Sequence, residues 1–575
     1  MPETGNGGQN DTKPPKELSM EMRLLLAFLL MGAVMFLTPY FFKSQAPPAA
    51  NKSAQQTRSA STEVPAPAAT AQPAETSAAP AAPAGPATAQ QSLAPVTIDN
   101  GVFRVAFSNQ GGTVRSWQLA KYKGNDNKPL ELMNTAAGVD FPFSLYFPTQ
   151  KPTSDVNKAY FTQTADPDGL GVSYDFSDGH TTVHKVFRFQ KNSYRAQISS
   201  EATLDGKALP SMIEWRGGFG DLTVANPSGA DRTLYYDATD SKLNEQNAKA
   251  AKNGPVNSSG NYSFAGIADT YFAAVFLPEG NSAMSQVTFS DTVRTPLEEK
   301  AQPFAGVAVT DGAANRFTLF VGPKDLDLLR RVNPKLVEVV NFGFWSFLAK
   351  PLFLIVNWIN DSFVHNFGWS IVLVTVLINF VLFPVKMKNF KSMRKMQALK
   401  PQIDVINEKY KNISIRDPRK AQQQQETMDL YKKYGVNPMG GCLPSLIQLA
   451  LVYPFYKVFM VAVEMRGASW LWVSDLSQPE HLAIKVLPVV MIISQFMYQK
   501  MMPSPSTDPN QQRMMMLMPL IFGFMFYNLP SGLVLYYLTS NLVNMGQQWF
   551  FNSTEAAKEA VRSVQPPPKK KNGRK

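Results

Sequence analysis

The chain has 575 residues, of which 44% are hydrophobic and 17% charged, so it is long enough for several structural units and too mixed to form one globular core. Its formal net charge is +12, and much of the positive excess lies in 386–433 and 558–575. Such local patches favour nucleic acid, ribosomes or anionic lipid as partners. A single cysteine, Cys442, excludes an intramolecular disulfide. His180 and His184 have i, i+4 spacing, but their strand-like context favours surface histidines over metal ligands.

The N-terminal region contains a nearly uninterrupted apolar run at 24–42, preceded by a predicted cytoplasmic tail at 1–23. Since a membrane-spanning helix needs roughly 20 apolar residues, the run predicts a first span that anchors the chain. A cleaved signal peptide is the alternative, but signal cores are shorter, at about 7–15 residues. Residues 43–95 are rich in Ala and Pro, and we expect them to form a disordered linker.

Residues 96–335 show short alternating runs, such as VFRVAFS and TVHKVFRF, broken by Gly, Asn and Asp. Alternation with a period of two predicts strands, and the turn residues between them predict antiparallel pairing. The region is therefore expected to be a large all-β sandwich domain.

Five further apolar segments predict membrane spans, whereas 336–366 contains Lys350-Pro351 and many aromatic residues and is predicted to be an interfacial amphipathic helix. Because Lys and Arg collect in cytoplasmic loops, six spans in total place both termini and both basic patches inside the cell and the β domain outside. The fold predicted is a multi-pass α-helical membrane protein with six transmembrane helices, five of which form the core. The predicted segments are a second span at 367–385, a cytoplasmic helical hairpin at 386–440, a third span at 441–463, an outer loop at 464–481, a fourth span at 482–499, a cytoplasmic loop at 500–513, spans at 514–528 and 532–551, and a basic cytoplasmic tail at 552–575.

The hairpin segment has thirteen Lys or Arg residues against five acids in 386–433. A solvated helical hairpin explains this composition, and so does an arm that docks on ribosomal RNA or lipid headgroups. Its first basic residues, which we call the basic arm, are Lys386, Lys388, Lys391, Arg394 and Lys395.

Polar residues recur inside the apolar spans. Thr375 and Asn379 are four apart and share one helix face, and Gln448 lies in the next span. Asn379 and Gln448 are each about 9 Å from the cytoplasmic boundary, so they match in depth. One such residue is explained by an interhelical hydrogen bond. The presence of polar residues in several spans favours a shared hydrated concavity open to the cytoplasm.

Four motifs are NPMGGCLPSLIQ (437–448), DPNQQRMMMLMP (508–519), LPSGLVLYYLTSNL (529–542) and SNQGGTVRSWQL (108–119). Together they resemble the YidC/Oxa/Alb family of membrane protein insertases, in its Gram-negative form with a large periplasmic domain. The resemblance implies a β-supersandwich in the periplasm and a groove in the inner membrane that is open to the cytoplasm and to lipid. The groove admits a hydrophilic segment of a client while the client's apolar helix enters the bilayer, without enzymatic activity or cofactor. The implied partners are nascent membrane proteins, the Sec translocon, the ribosome, signal recognition particle pathway components and anionic lipids.

The resemblance also implies which residues line the groove or contact clients. They are Thr375, Asn379, Gln448, Tyr536, Tyr537 and Ser540. For the two tyrosines, packing between helices is the alternative. The family pattern has an arginine at the position of Asn379, so this chain lacks that charge, and we hypothesise that Lys386 and Lys388 at the groove mouth supply some positive potential.

Two other function classes remain as alternatives. A secondary transporter also has polar spans, but this chain lacks intramembrane carboxylates and visible inverted repeats. A periplasmic carbohydrate-binding protein is the second alternative, although no convincing paired carboxylate-histidine site is visible. The sequence favours the insertase.

Overall fold

The computed structural model describes residues 91–562, apart from gaps at 136, 225–226, 281–282, 296–297, 313, 412–416, 418, 437–442 and 503–508. The predicted N-terminal tail, the first span, most of the linker and the end of the basic tail lie outside the described residues.

Nineteen described strands form three antiparallel sheets. The four-stranded sheet has the order β1-β2-β3-β4, and the five-stranded sheet has the order β14-β17-β18-β11-β5. The ten-stranded sheet has the order β13-β12-β15-β16-β19-β9-β8-β7-β6, with β10 paired to β9. The strands are β1 Val96–Asp99, β2 Phe103–Ser108, β3 Thr113–Lys123, β4 Pro129–Glu131, β5 Ser144–Tyr146, β6 Thr162–Ala165, β7 Gly171–Ser177, β8 Thr181–Phe189, β9 Arg195–Leu204, β10 Lys207–Ala208, β11 Met212–Trp215, β12 Arg232–Asp237, β13 Lys242–Gln246, β14 Val256–Gly260, β15 Tyr262–Ala268, β16 Phe272–Pro278, β17 Met284–Thr295, β18 Glu298–Thr310 and β19 Ala314–Pro323.

The strands pack their apolar faces into an aromatic core. In β8, buried residues alternate with more exposed ones along the whole strand, as a half-buried strand requires. Trp117 and Trp215 are buried, with ring centroids 6.0 Å apart, and the ring of Phe143 lies 5.8 Å from that of Trp215. The predicted β-sandwich domain is therefore confirmed.

The C-terminal part of the described chain is helical. Beyond α1 in the β domain, α2 begins after Asp325, whose carboxylate accepts a hydrogen bond of 2.7 Å from the Leu328 amide and caps the helix. The helices are α1 Pro227–Ala230, α2 Leu326–Val332, α3 Ser346–Ile359, α4 Phe367–Val381, α5 Phe383–Lys409, α6 Arg419–Lys433, α7 Leu443–Val461, α8 Val486–Met501, α9 Pro509–Phe526, α10 Ser531–Ser553 and α11 Glu555–Arg562.

Helix α10 lies at the centre of a bundle, where it packs against α4, α7 and α8, while α9 packs against α8 and α3 packs against α4 and α7. Between Gly343–Val364 and Phe367–Val381 the chain turns through 116°, so α3 does not continue the direction of α4. In the described part of the chain, no single helix has both the length and the apolarity to cross a membrane, but this bent pair meets that criterion together. The predicted second span at 367–385 is divided between α4 and the first turn of α5.

Large apolar side chains point outward from the bundle. Leu377 and Phe380 on α4 are 52% and 62% exposed, and Ile521 and Phe524 on α9 are 63% and 86% exposed. Large apolar side chains exposed in this number are unusual on a soluble protein and are expected where lipid surrounds the bundle. The bundle thus turns its apolar residues outward.

Candidate functional site

Helix α4 directs its polar residues into the bundle. Thr375 and Asn379 are 0% and 4% exposed. The Thr375 hydroxyl donates a 2.6 Å hydrogen bond to the Ile371 carbonyl, and the Asn379 amide donates one of 2.7 Å to the Thr375 carbonyl. These bonds satisfy donors that would otherwise be costly to bury.

Lys386, in the first turn of α5, also belongs to this polar face. Its ammonium donates to the side-chain oxygens of Asn379, of Asn544 at 2.5 Å and of Gln547 at 3.5 Å. Seven residues are just under two helical turns, which explains why Lys386 reaches the same face as Asn379. The side chain is buried, and none of its three partners is a carboxylate. The site therefore holds a cation that its own partners do not neutralise.

Helix α10 supplies the opposite wall. The Asn379 amide lies 3.5 Å from the Ser540 hydroxyl, and the Gln547 amide donates a 3.0 Å hydrogen bond to the Asn379 carbonyl. The Asn544 amide donates to the side-chain oxygen of Gln448 at 3.4 Å, which links α10 to α7. We call this site the polar cluster; its members are Thr375, Asn379, Lys386, Gln448, Ser540, Asn544 and Gln547.

The polar cluster unites residues that were predicted separately. Asn544 bonds to both Lys386 and Gln448, so Gln448 joins the site through α10. Asn544 and Gln547 were not among the predicted site residues, although Ser540 and Asn544 have the i, i+4 spacing of one helical stripe. The described members bond to one another through these side-chain hydrogen bonds, and the hydrated concavity stays a prediction. The Gln448 side-chain nitrogen is buried and has no partner among the residues that the structure describes, which leaves a donor on the α7 wall.

The two tyrosines lie further toward the start of α10. Tyr536 is 1% exposed and stacks on Phe455 of α7 with a centroid distance of 4.2 Å. Tyr537 is 8% exposed and lies 4.9 Å from the ring of Phe526. In this structure both rings pack between helices, which is the alternative that the sequence left open.

The basic arm extends from the polar cluster along α5, and its residues have different surroundings. Lys388 is exposed, whereas Lys391 pairs with Glu559 of α11 at 3.6 Å. Arg394 donates a 2.7 Å hydrogen bond to Asn552 at the end of α10. Lys395 is half-buried. The structure thus separates Lys386, inside the cluster, from the more accessible cations that follow it.

His180 and His184 of the β domain, which the sequence favoured as surface histidines, each pair with a separate carboxylate. His184 bonds to Asp175 at 2.6 Å and His180 bonds to Asp205 at 2.7 Å, so each ring has its own partner. Among the described residues, no group of three or more His, Cys, Asp or Glu side chains is placed to hold a metal ion.

Comparisons with known proteins agree with this architecture. Residues 358–559 match the family described as 60Kd inner membrane protein, and residues 95–355 match the YidC periplasmic domain. The two matches define an inner membrane protein with a periplasmic β domain. The relatives from Syntrophus aciditrophicus and Geotalea daltonii, each described as membrane protein insertase YidC, are both 31% identical over 93% of this chain and 99% of their own length.

A solved structure, described as an active YidC insertase with the first transmembrane domain resolved, is 21% identical. It covers 80% of this chain and 93% of its own, with a TM-score of 0.35. By the family matches and the full-length relatives, the chain belongs to the YidC family of membrane protein insertases. Its function is the insertion of proteins into the membrane.

Proposed function

We propose that the polar cluster receives the hydrophilic segment of a nascent membrane protein from the cytoplasmic side, while the client's apolar helix passes into the surrounding lipid. The observation that carries this proposal is the buried Lys386 ammonium: among the described residues its partners are amide oxygens, and the bundle around it has an apolar outer surface. A carboxylate is a stronger acceptor for an ammonium than an amide oxygen is. A client segment carrying Asp or Glu therefore competes for Lys386.

Capture requires the cluster to open. Within the polar cluster, α10 contacts α4 and α7 through interhelical hydrogen bonds, and such bonds contribute on average only about 0.6 kcal/mol each in a membrane. Exchange of a few of them for bonds to a client is therefore inexpensive. Burial of the client's own apolar helix supplies the driving free energy, so no nucleotide is required.

The proposal includes a topology of six spans, at 24–42, 367–385, 441–463, 482–499, 514–528 and 532–551. Both termini are cytoplasmic, and the helices at 386–440 form a cytoplasmic hairpin. The concentration of Lys and Arg in 386–433 and 558–575 supports this orientation in the inner membrane. The 116° turn before α4 supports an interfacial placement of 336–366 outside the membrane core.

The cytoplasmic cations are proposed to bind polyanionic partners. Lys388 is exposed, and the tail beyond 562 adds several further basic residues. Ribosomal RNA and anionic lipid headgroups both attract such patches. We include the ribosome, signal recognition particle pathway components and the Sec translocon among the proposed partners, with the insertase acting alone or beside the translocon.

Groove contact can be tested by site-specific crosslinking to a stalled nascent chain, in cells depleted of their own insertase and complemented with this one. Photoreactive residues at 375, 379, 448 and 537 are compared with one at 542, where Leu542 is 54% exposed on the outer face of α10. We expect the hydrophilic tail of the client to crosslink to 379 and 448 and the apolar helix of the client to crosslink to 542. A tail that crosslinks to none of the cluster positions would show that clients take another route.

Tyr536 and Tyr537 are proposed to contact a client only after the helices around them have moved. Because both rings pack between helices, they contact a client only after α7 or α9 has moved away from α10. A crosslink from 537 that forms later than one from 379 would be the expected order.

A further inference from the structure

Arg466 joins the β domain to the helical bundle. It lies in the α7–α8 loop, residues 462–485, and donates a 2.8 Å hydrogen bond to the Lys123 carbonyl. It also forms an ion pair with Asp221, and the two side chains are 8% and 1% exposed. Its guanidinium carbon lies 5.6 Å from the ring centroid of Phe272. The planar guanidinium is suited to bind several acceptors in fixed directions, so this contact determines an orientation as well as a distance.

Hydrogen bonds within the β domain hold Asp221 in place independently of Arg466. The Asp221 amide donates a 2.7 Å hydrogen bond to the Asp269 carboxylate. The other Asp221 oxygen accepts hydrogen bonds from the amide and hydroxyl of Thr223, at 2.9 and 2.6 Å. Gly220 has φ +97°, and a Cβ there would lie 2.1 Å from Asp269, so only glycine permits this close approach.

The same α7–α8 loop binds the start of α10. The Ser531 amide and hydroxyl each donate a 2.8 Å hydrogen bond to the Gln478 carbonyl. The Gly532 amide donates another of 2.8 Å to the Leu476 carbonyl. The first amides of a helix have no partners within the helix, so the loop satisfies groups that would otherwise be unpaired.

The loop also holds the starts of α8 and α4. The Glu480 carboxylate accepts a 2.9 Å hydrogen bond from the Leu487 amide in the first turn of α8. The Asn366 side chain, which caps α4, donates a 3.1 Å hydrogen bond to the Ser469 carbonyl. One loop thus connects Asp221 of the β domain with the outer ends of three helices, two of which carry the polar cluster.

We infer that Arg466 is a positioning residue through which the β domain sets the spacing of α4, α8 and α10 at the outer side of the bundle. The periplasmic domain then acts as a brace that keeps this side closed while the cytoplasmic side, with the polar cluster, opens to a client. This role goes beyond client capture, since Arg466 lies at the opposite end of the helices from Lys386.

The inference is tested in the full chain with Arg466→Met, which keeps an apolar stem, and with Asp221→Asn, which keeps the shape and removes the charge. The matched control is Arg104→Met, because the Arg104–Asp99 pair of the same domain is exposed, at 63% and 51%. Spin labels are placed in a Cys442→Ser background on cysteines at 197 and 484, to report domain against loop, and at 373 and 528, to report α4 against the start of α10.

We expect both distance distributions to widen at least twofold in Arg466→Met and Asp221→Asn and to remain unchanged in Arg104→Met. Arg466→Lys, which keeps the charge, is expected to restore part of the narrow distribution. An unchanged 373–528 distribution in both interface variants would overturn the inference, even if the 197–484 distribution widens.

A functional measurement separates positioning from general damage. In Arg466→Met we expect the initial rate of client insertion in proteoliposomes to fall at least threefold, while crosslinking of the client to position 379 remains at the parental level. A parallel loss of both would overturn the positioning role. Absence of crosslinking at 379 in the parent would instead contradict the proposed capture site and leave the distance measurements valid.

Discussion

The ammonium of Lys386 donates to the side-chain oxygen of Asn379, so the positive charge inside the bundle comes from the helix that follows α4 and not from α4 itself. Burial of a cation is costly unless hydrogen bonds replace its hydration. Asn379, Asn544 and Gln547 provide three oxygens for this purpose. They leave the charge unneutralised, and for that reason the site is suited to an acidic client.

Removal of the charge by Lys386→Gln should reduce insertion of clients with acidic tails by about tenfold, because hydrogen bonds to charged groups contribute about 1.5–3 kcal/mol. Clients with neutral tails should be inserted nearly as before. Insertion rates of two clients that differ only in tail charge measure the effect. Lys252→Gln is the control, since Lys252 is exposed in the β domain and its loss removes the same charge far from the polar cluster.

The charge should also be transferable. In the Lys386→Gln background, Asn379→Arg places a cation near the position of the lost ammonium, because positions 379 and 386 are seven residues apart and share one face. We expect it to recover most of the lost insertion of acidic clients. Equal rates for acidic and neutral clients in the parent, the variant and the double variant would remove groove charge from the mechanism.

Asn544→Leu should destabilise the bundle. It removes one acceptor of Lys386 and the donor to Gln448, and a buried polar group left unpaired costs about 1–3 kcal/mol. Leu542→Ala is the control on the same helix, because Leu542 is 54% exposed. Thermal unfolding in detergent compares the two. An Asn544→Leu protein as stable as the Leu542→Ala protein would mean that the network contributes nothing to stability.

Two substitutions of Tyr536 distinguish a role in helix packing from a role in client contact. Since its ring stacks on Phe455, Tyr536→Phe should keep both stability and insertion activity. Tyr536→Ala leaves a cavity and should cost about 3–5 kcal/mol, as removal of a large buried ring usually does. The two variants are compared by thermal unfolding and by client insertion. A Tyr536→Phe protein that is stable but inactive would instead indicate that the hydroxyl contacts clients.

Gly368 allows close contact between α4 and the α7–α8 loop. A Cβ at this position would lie 2.2 Å from the indole ring of Trp470, so Gly368→Ala should destabilise the protein by about 1–3 kcal/mol. Gly546→Ala is the matched control, because a Cβ there meets nothing within 4 Å. Alanine is the better helix former, so this control should be neutral or stabilising by about 0.5–1 kcal/mol. Thermal unfolding in detergent again provides the comparison, and equal behaviour of the two variants would contradict the packing argument.

Local periodicity in the sequence accounts for the elements and for part of the site. Alternation predicted the strands, and the i, i+4 spacing of Thr375 and Asn379 predicted a shared face, since both signals reflect neighbouring residues. Lys386 was predicted at the mouth of a groove, and in the structure its side chain lies within the polar cluster. Lys386 lies seven residues after Asn379, a spacing that indicates the same helix face. The two residues were assigned to different segments, one apolar and one basic, so this spacing was not used.

The sequence contains no comparable periodic signal for contacts between distant segments. Arg466 and Asp221 are 245 residues apart, and neither belongs to a motif that implies the other. Asn544 connects three helices, yet its spacing identifies only its own stripe on α10. Such contacts depend on how the helices and the β domain pack together, which periodicity within one element does not encode.

Glu464 should make the contact between the α7–α8 loop and the β domain sensitive to pH. It is half-buried, and one of its carboxyl oxygens is inaccessible and has no hydrogen-bond partner in the described part of the chain. Burial, together with the nearby carboxylates of Asp325 and Asp327, raises the pKa of Glu464 to about 8. On the β3 side it faces Tyr122, whose pKa burial also raises.

The sign of the effect follows from this raised pKa. The folded protein retains the Glu464 proton at pH values where the unfolded chain has released it, so the stabilisation is complete below about pH 4.5 and is lost as pH rises through about 8. Glu464→Gln removes this dependence while keeping the shape. Between pH 6 and pH 9 the variant's unfolding midpoint should therefore rise by a few degrees relative to that of the parent, as thermal unfolding of the full chain in detergent would measure. Other titrating groups are common to both proteins, so a difference that stays constant with pH would show that Glu464 is charged in the folded state throughout this range.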